Sequence, residues 1–127
     1  MKLSDLDPVD GQVPLVHPVH GEIKHKKKTV TLTVKSRFSE EYYKATREMM
    51  KDIKAFDDPL KAEKINNEML ACIVVGWSDD DFFEGEFSKE AITELFNNPV
   101  RSWIKDLVEE YVSVDANFFP AAETKSK

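Results

Sequence analysis

The residues whose types and spacing invite chemistry are three histidines, one cysteine and a run of aspartates. His17, His20 and His25 are close enough in sequence to meet a metal ion in a flexible, proline-containing segment. No cysteine or further histidine lies beside them to complete a tetrahedral set, so they read as surface histidines of a loop or an edge strand. Asp79 and Asp81 match the first and third positions of an EF-hand calcium loop, with Glu90 at the twelfth. The fifth position is then Phe83, and the sixth, which needs glycine for its sharp turn, is Glu84. A frame moved by one residue places Gly85 correctly but sets Phe82 at position three and Ala91 at twelve. Both frames fail, and the loop reads as a solvated acidic surface. No metal and no cofactor are expected.

Catalysis has no better footing. Cys72 sits inside the apolar run Leu70 to Val75 with no base close in sequence, which suits a buried structural thiol. Serine and histidine never approach a triad-like motif, no glycine-rich phosphate loop occurs, and the many carboxylates form no marked pair. An enzyme is not expected. The single cysteine can form no internal disulfide, which fits a reducing, intracellular compartment. The segment Met1 to Pro8 lacks an apolar h-region, so no signal peptide is expected. Leu70 to Val75 is the longest apolar run and is far too short to span a bilayer, so no membrane partner is expected. The net charge of −6 and the pI near 5.1 argue against a nucleic-acid partner. The one basic cluster, Lys24 to Lys28, carries no interleaved aromatics and reads as a solvated turn or strand edge.

What remains is protein binding. In the loop Ser78 to Phe87 the rings of Phe82, Phe83 and Phe87 alternate with acids, a composition that suits a basic partner. Tyr43, Met50 and the apolar stretch Leu70 to Val75 exceed what one narrow core stripe needs. The candidate contact residues for a partner or a second copy are therefore Tyr43, Met50, Leu70, Val74, Phe82, Phe83, Phe87, Trp103 and Tyr111.

The elements that must position these residues can be read from periodicity. A chain of 127 residues with 41% apolar and 33% charged residues suits one globular domain. Its zones are an extended N-terminal segment (1–28), a core (29–119) and a flexible tail (120–127). Thr29 to Lys35 alternates with period two and predicts a half-buried strand with Val30, Leu32 and Val34 inward. An earlier run, Val13 to Ile23, is interrupted by Pro14 and Pro18 and predicts an edge strand, with a hairpin turn between Gly21 and Lys28.

Helices follow. Ser39 caps one that carries Glu40 and Glu41 in its first turn and a stripe of Tyr42, Thr46, Met49, Ile53 and Phe56. Asp58 and Pro59 open a second, from about Leu60 to Val75, with Ala62, Ile65, Met69, Cys72 and Ile73 on one face. Gly76 suits the left-handed residue after that helix. Trp77 would then fold back on Cys72 and Ala71 as a pin of the core. Ser88 caps a short helix with Ala91, Ile92, Leu95 and Phe96. Asn98 and Pro99 start the last helix, with Val100, Trp103, Ile104, Leu107, Val108, Tyr111 and Val112 as its stripe. The fold class is α+β, mostly α: an N-terminal strand or hairpin followed by about four helices packed as a small bundle.

The order of these elements resembles a known family. A helix ending in Ile73-Val74-Val75-Gly76-Trp77, an acidic loop, Phe87-Ser88 opening a helix with Ala91 and Leu95, a break at Pro99 and an ending Asn117-Phe118-Phe119 look like the tail assembly chaperones of long-tailed bacteriophages. The strand Val30 to Lys35 leading into a helix fits the same family, and the resemblance spans residues 28–119. It implies a non-enzymatic protein that coats the tape measure protein during tail assembly in the host cytoplasm and is absent from the mature virion. It implies a homo-oligomer, and often a longer frameshifted form of the same protein. The family has no short catalytic motif to carry over. A structural neck or connector subunit, or another small non-enzymatic adaptor, is the alternative. The segment up to Ile23 matches nothing in the family.

Overall fold

A computed structural model of the chain describes residues 2–51, 54 and 57–119. Its strands are β1 (Gly11–Pro14), β2 (Val16–His17), β3 (Gly21–Glu22), β4 (Lys24–His25), β5 (Lys28–Thr29), β6 (Thr31–Val34) and β7 (Val74–Trp77). Its helices are α1 (Glu40–Met50), α2 (Pro59–Ile73), α3 (Lys89–Asn97) and α4 (Ser102–Val112). The fold is α+β and mostly α, as the periodicity predicts.

The alternation of the Thr29–Lys35 stretch sets the sheet. Val30, Leu32 and Val34 are at most 1% exposed, as expected for inward-facing residues of a half-buried strand. β6 lies at the centre of an antiparallel sheet of order β1-β6-β7, with Val13 opposite Leu32 and Leu32 opposite Trp77. On the outer face, Gln12 Oε1 accepts from the hydroxyls of Thr31 and Thr33 at 3.2 and 3.1 Å. Pro14 sits in the edge strand β1, where its missing N–H breaks no central ladder.

Between β1 and β6 the chain makes two short hairpins, β2–β3 and β4–β5. Three backbones meet at their base. Leu15 donates to the Val30 carbonyl at 2.9 Å, Val30 to the Ile23 carbonyl at 3.0 Å, and Ile23 back to the Leu15 carbonyl at 2.9 Å. This closed ring of three hydrogen bonds satisfies the backbone at a branch point that a single hairpin would not contain. The β4–β5 turn has φ of 54° at Lys26 and 70° at Lys27. Two left-handed central residues are the pattern of a type I′ turn, usually built from Asn or Gly. With lysines there, the turn costs about 1 kcal/mol per residue.

The helix starts follow the expected capping chemistry. Ser39, Asp58 and Ser88 accept from Tyr42, Leu60 and Ala91 N–H groups. Asn98 accepts from the Val100 N–H, but it opens a 3-10 turn at Pro99–Arg101 and α4 begins only at Ser102. Val100 is 81% exposed and does not belong to the apolar stripe of α4. α1 ends at Met50, while Ile53 and Phe56 of its predicted stripe lie outside the described residues, as does the tail beyond Phe119.

The end of α2 departs most from expectation. The helix stops at Ile73, and Val74 to Trp77 form β7. Gly76 does not adopt a left-handed φ. The Val74-Val75 pair suits strand better than helix, and β6 offers a free edge whose N–H and C=O groups need partners. Trp77 therefore pairs opposite Leu32 and does not fold back on Cys72. The face of α2 is also different: Leu70, Ala71 and Ile73 enter the core, while Ile65, Met69 and Cys72 turn towards α1.

The core joins Val13, Leu15, Val30, Leu32 and Val34 of the sheet region to Ile73 and Val74, to Ile92 and Phe96 of α3, and to Ile104 and Val108 of α4. Phe118, in a closing 3-10 turn, completes it. Each such side chain stabilises the fold by about 1.5–3 kcal/mol through burial. α2 is the central helix, packed on α1, α3 and α4.

Candidate functional site

α1 and α2 run side by side without closing fully on one another. Ala45 and Met49 of α1 face Ile65, Met69 and Cys72 of α2 across a cleft of about 180 Å³, with Glu48 and Glu68 on its rim. Spacings of four and three residues align the α2 side chains along one face. The methionines give the cleft an adaptable lining, since a thioether chain has several low-energy shapes. Cys72 is only partly buried here, so it is a lining residue of the cleft and not the buried structural thiol expected from the apolar run.

The acidic loop between β7 and α3 is folded on itself. The Trp77 ring stacks on Phe83 with centroids 4.4 Å apart and meets the edge of Phe87 at 5.2 Å. Phe82 packs edge-on against Phe83 at 5.1 Å. Trp77 Nε1 donates to Asp80 Oδ1 at 2.8 Å, and the Phe82 N–H donates to Asp79 Oδ1 at 3.1 Å. The three phenylalanines are half-buried, Phe83 and Phe87 against Trp77 and Phe82 against Phe83 and His25, while Asp80, Asp81, Glu84 and Glu86 are exposed. The loop displays its acids and withdraws its rings.

The remaining candidate contact residues are dispersed. Leu70 and Val74 are 5% and 1% exposed; both are core residues and offer no surface to a partner. Tyr43 and Met50 are exposed, on α1, but roughly 150° around the helix from the cleft. Trp103 is half-buried against His17, ring to ring at 4.9 Å. It lies in a second cleft, of about 400 Å³, between the β2–β3 hairpin, the acidic loop and the start of α4. Tyr111 is half-buried over β1 and meets Phe118 edge-on at 5.4 Å.

The three histidines do not converge. His17 and His20 stack at 4.7 Å, and His17 Nδ1 accepts from the Val19 and His20 N–H groups. His25 stands elsewhere, at the acidic loop, with Nε2 3.7 Å from Asp79 Oδ2. Beside it Lys26 Nζ donates to Asp81 Oδ2 at 2.8 Å. That hydrogen bond lowers the Asp81 carboxyl below the ordinary carboxylate value and raises the Lys26 ammonium. Arg37 grips Asp115 with both Nε and Nη2, at 2.7 and 2.8 Å, and lowers its carboxyl in the same way. These pairs are exposed and add little stability singly, but they fix where the basic turn and the closing turn dock.

Reasoning from sequence missed the α1–α2 cleft and the meeting of the basic turn with the acidic loop. The cleft is foreshadowed by the three- and four-residue spacing of Ile65, Met69 and Cys72, a stripe that periodicity alone cannot divide between core and cleft. The second contact joins residues 55 positions apart and leaves no local pattern. Among the described residues no helix is long and apolar enough to cross a membrane. No protein-family profile, no curated protein and no solved structure matches this chain.

Proposed function

We propose that this chain is a tail assembly chaperone of the long-tailed phage type, a non-enzymatic protein that holds a helical segment of the tape measure protein in the α1–α2 cleft. The observation that carries this reading is the cleft itself: an open, methionine-lined trough between two helices with Glu48 and Glu68 on its rim. Such a trough suits an amphipathic helix that inserts apolar anchors and sets basic residues against the rim. The sequence motifs over residues 28–119, whose order resembles that family, support the same partner. The net charge of −6 would keep a coated, apolar partner dispersed in the host cytoplasm. The exposed Tyr43 and Met50 on the far side of α1 then serve contacts between copies in an oligomer along the partner.

Co-expression with the long protein encoded by the neighbouring tape measure gene tests the reading. The expected result is a soluble, co-purifying complex that light scattering shows to contain several copies of this chain. A strictly monomeric protein that leaves the tape measure protein insoluble would overturn it. Finding the chain in mature particles by mass spectrometry would favour a neck or connector subunit instead.

A further inference from the structure

His25, at the end of β4, and Asp79 and Asp81, in the acidic loop, place their nitrogen and oxygen ligand atoms within 4.8 Å of one another. We propose that these three side chains bind a divalent transition-metal ion of the zinc type, with water completing its shell. This site is independent of the α1–α2 cleft.

The donor set is the first argument. One imidazole and two carboxylates suit zinc, cobalt or manganese, and three protein ligands with a water are a common arrangement. Around such an ion, ligand atoms stand roughly 3–4 Å apart, so the cluster needs to contract by only about 1 Å. Calcium is disfavoured, because it takes six or more oxygen ligands.

The second argument is the imidazole. Nε2 of His25 is shut off from solvent and has no hydrogen-bond partner. Asp79 Oδ2 stands 3.7 Å from it, beyond hydrogen-bond reach. A buried ring nitrogen without a partner calls for an explanation, and a metal ion on Nε2 supplies one.

The third argument is orientation. Asp79 Oδ1 is held by the Phe82 N–H at 3.1 Å, which leaves Oδ2 directed at His25. A ligand whose other oxygen is already held has its geometry set in advance. The Lys26 ammonium stands 2.8 Å from Asp81 Oδ2 and places a positive charge beside the cluster. Its side chain is 68% exposed and is free to swing into water when a doubly charged ion arrives.

Titration of the full chain with zinc by calorimetry, and with cobalt(II) by visible absorption, tests this. One saturable site is expected. His25→Asn and Asp81→Asn should each weaken binding at least about a hundredfold, since even outer-shell partners of a metal site are worth 10–100-fold. Lys26→Gln should tighten it, because a competing cation is removed, and His20→Gln should leave it unchanged. Asp81 is exposed and its variant keeps the fold, which circular dichroism verifies alongside the titration. Absence of a saturable site in the parent protein, survival of binding in Asp81→Asn, or weaker binding in Lys26→Gln would each show that the cluster is an ion-pair clamp only.

Discussion

Gly11 lies directly beneath the ring of Tyr111: a Cβ placed on Gly11 would stand 2.5 Å from Tyr111 Cε1 and 2.9 Å from Phe118 Cε1. β1 and the end of α4 thus meet backbone against ring, and only glycine permits that approach. The contact ties the first strand of the sheet to the last helix.

Gly11→Ala is accordingly expected to destabilise the protein by about 1–3 kcal/mol, the range for forcing a methyl group into a filled site. Denaturant unfolding measures it. Tyr111→Leu combined with Gly11→Ala should recover part of the loss, because the smaller side chain relieves the clash. A neutral Gly11→Ala would mean that Tyr111 swings aside freely.

Leu70 and Tyr43 should behave as opposites. Leu70→Ala empties a core position and is expected to cost about 2–5 kcal/mol. Tyr43→Ala changes an exposed side chain and should stay within about 0.5 kcal/mol of the parent. Thermal melts of the two variants separate core from surface.

Trp77→Ala should cost about 3 kcal/mol, at the lower end for aromatic truncation because the ring is only half-buried. It should also loosen the acidic loop, since Phe83, Phe87 and Asp80 all lose their common partner. Faster limited proteolysis between Ser78 and Phe87, below the melting temperature, is the expected sign.

In the cleft, Met49→Gln with Met69→Gln keeps side-chain length and removes the apolar lining. Affinity for the tape measure segment should fall tenfold or more, equivalent to about 1.4 kcal/mol or more, while the melting temperature changes little. Unchanged affinity in a folded double variant would place the partner elsewhere.

The Arg37–Asp115 pair sets a pH dependence. The guanidinium holds the Asp115 carboxyl below its ordinary value. A carboxyl lowered in the folded state contributes stability that is present above the unfolded-state value and is lost as pH falls through the lowered one. The loss is therefore confined to the acid side of the ordinary carboxylate range. An NMR titration of Asp115 in the parent and in Arg37→Gln checks this: the carboxyl should return upward in the variant.

The legible parts of the fold were those written in neighbouring residues. Val30, Leu32 and Val34 announce a half-buried strand, and Ser39, Asp58-Pro59 and Ser88 announce helix starts, because capping and alternation act within a few positions. The end of α2 departs from its sequence pattern, in which Gly76 satisfies a local rule for helix ends. The unpaired edge of β6, more than forty residues upstream, overrides that rule. The candidate contact residues mixed two kinds of apolar side chain, and sequence cannot tell Leu70, which is core, from Met69, which lines a cleft one residue away. The approach of His25 and Lys26 to Asp79 and Asp81 depends wholly on how two loops dock, which no local spacing encodes.

The ring of hydrogen bonds among Leu15, Ile23 and Val30 carries a consequence for how this chain can vary. Leu15 and Val30 already continue the β1–β6 ladder, so everything between them hangs from that ladder as an appendage. The β2–β3 arm can lengthen at Val19 without disturbing a core contact, whereas the β4–β5 arm is docked on the acidic loop through Lys26 and Asp81. Insertions and deletions should accumulate at the first tip, and a peptide tag grafted at Val19, which is 81% exposed, should leave the sheet intact.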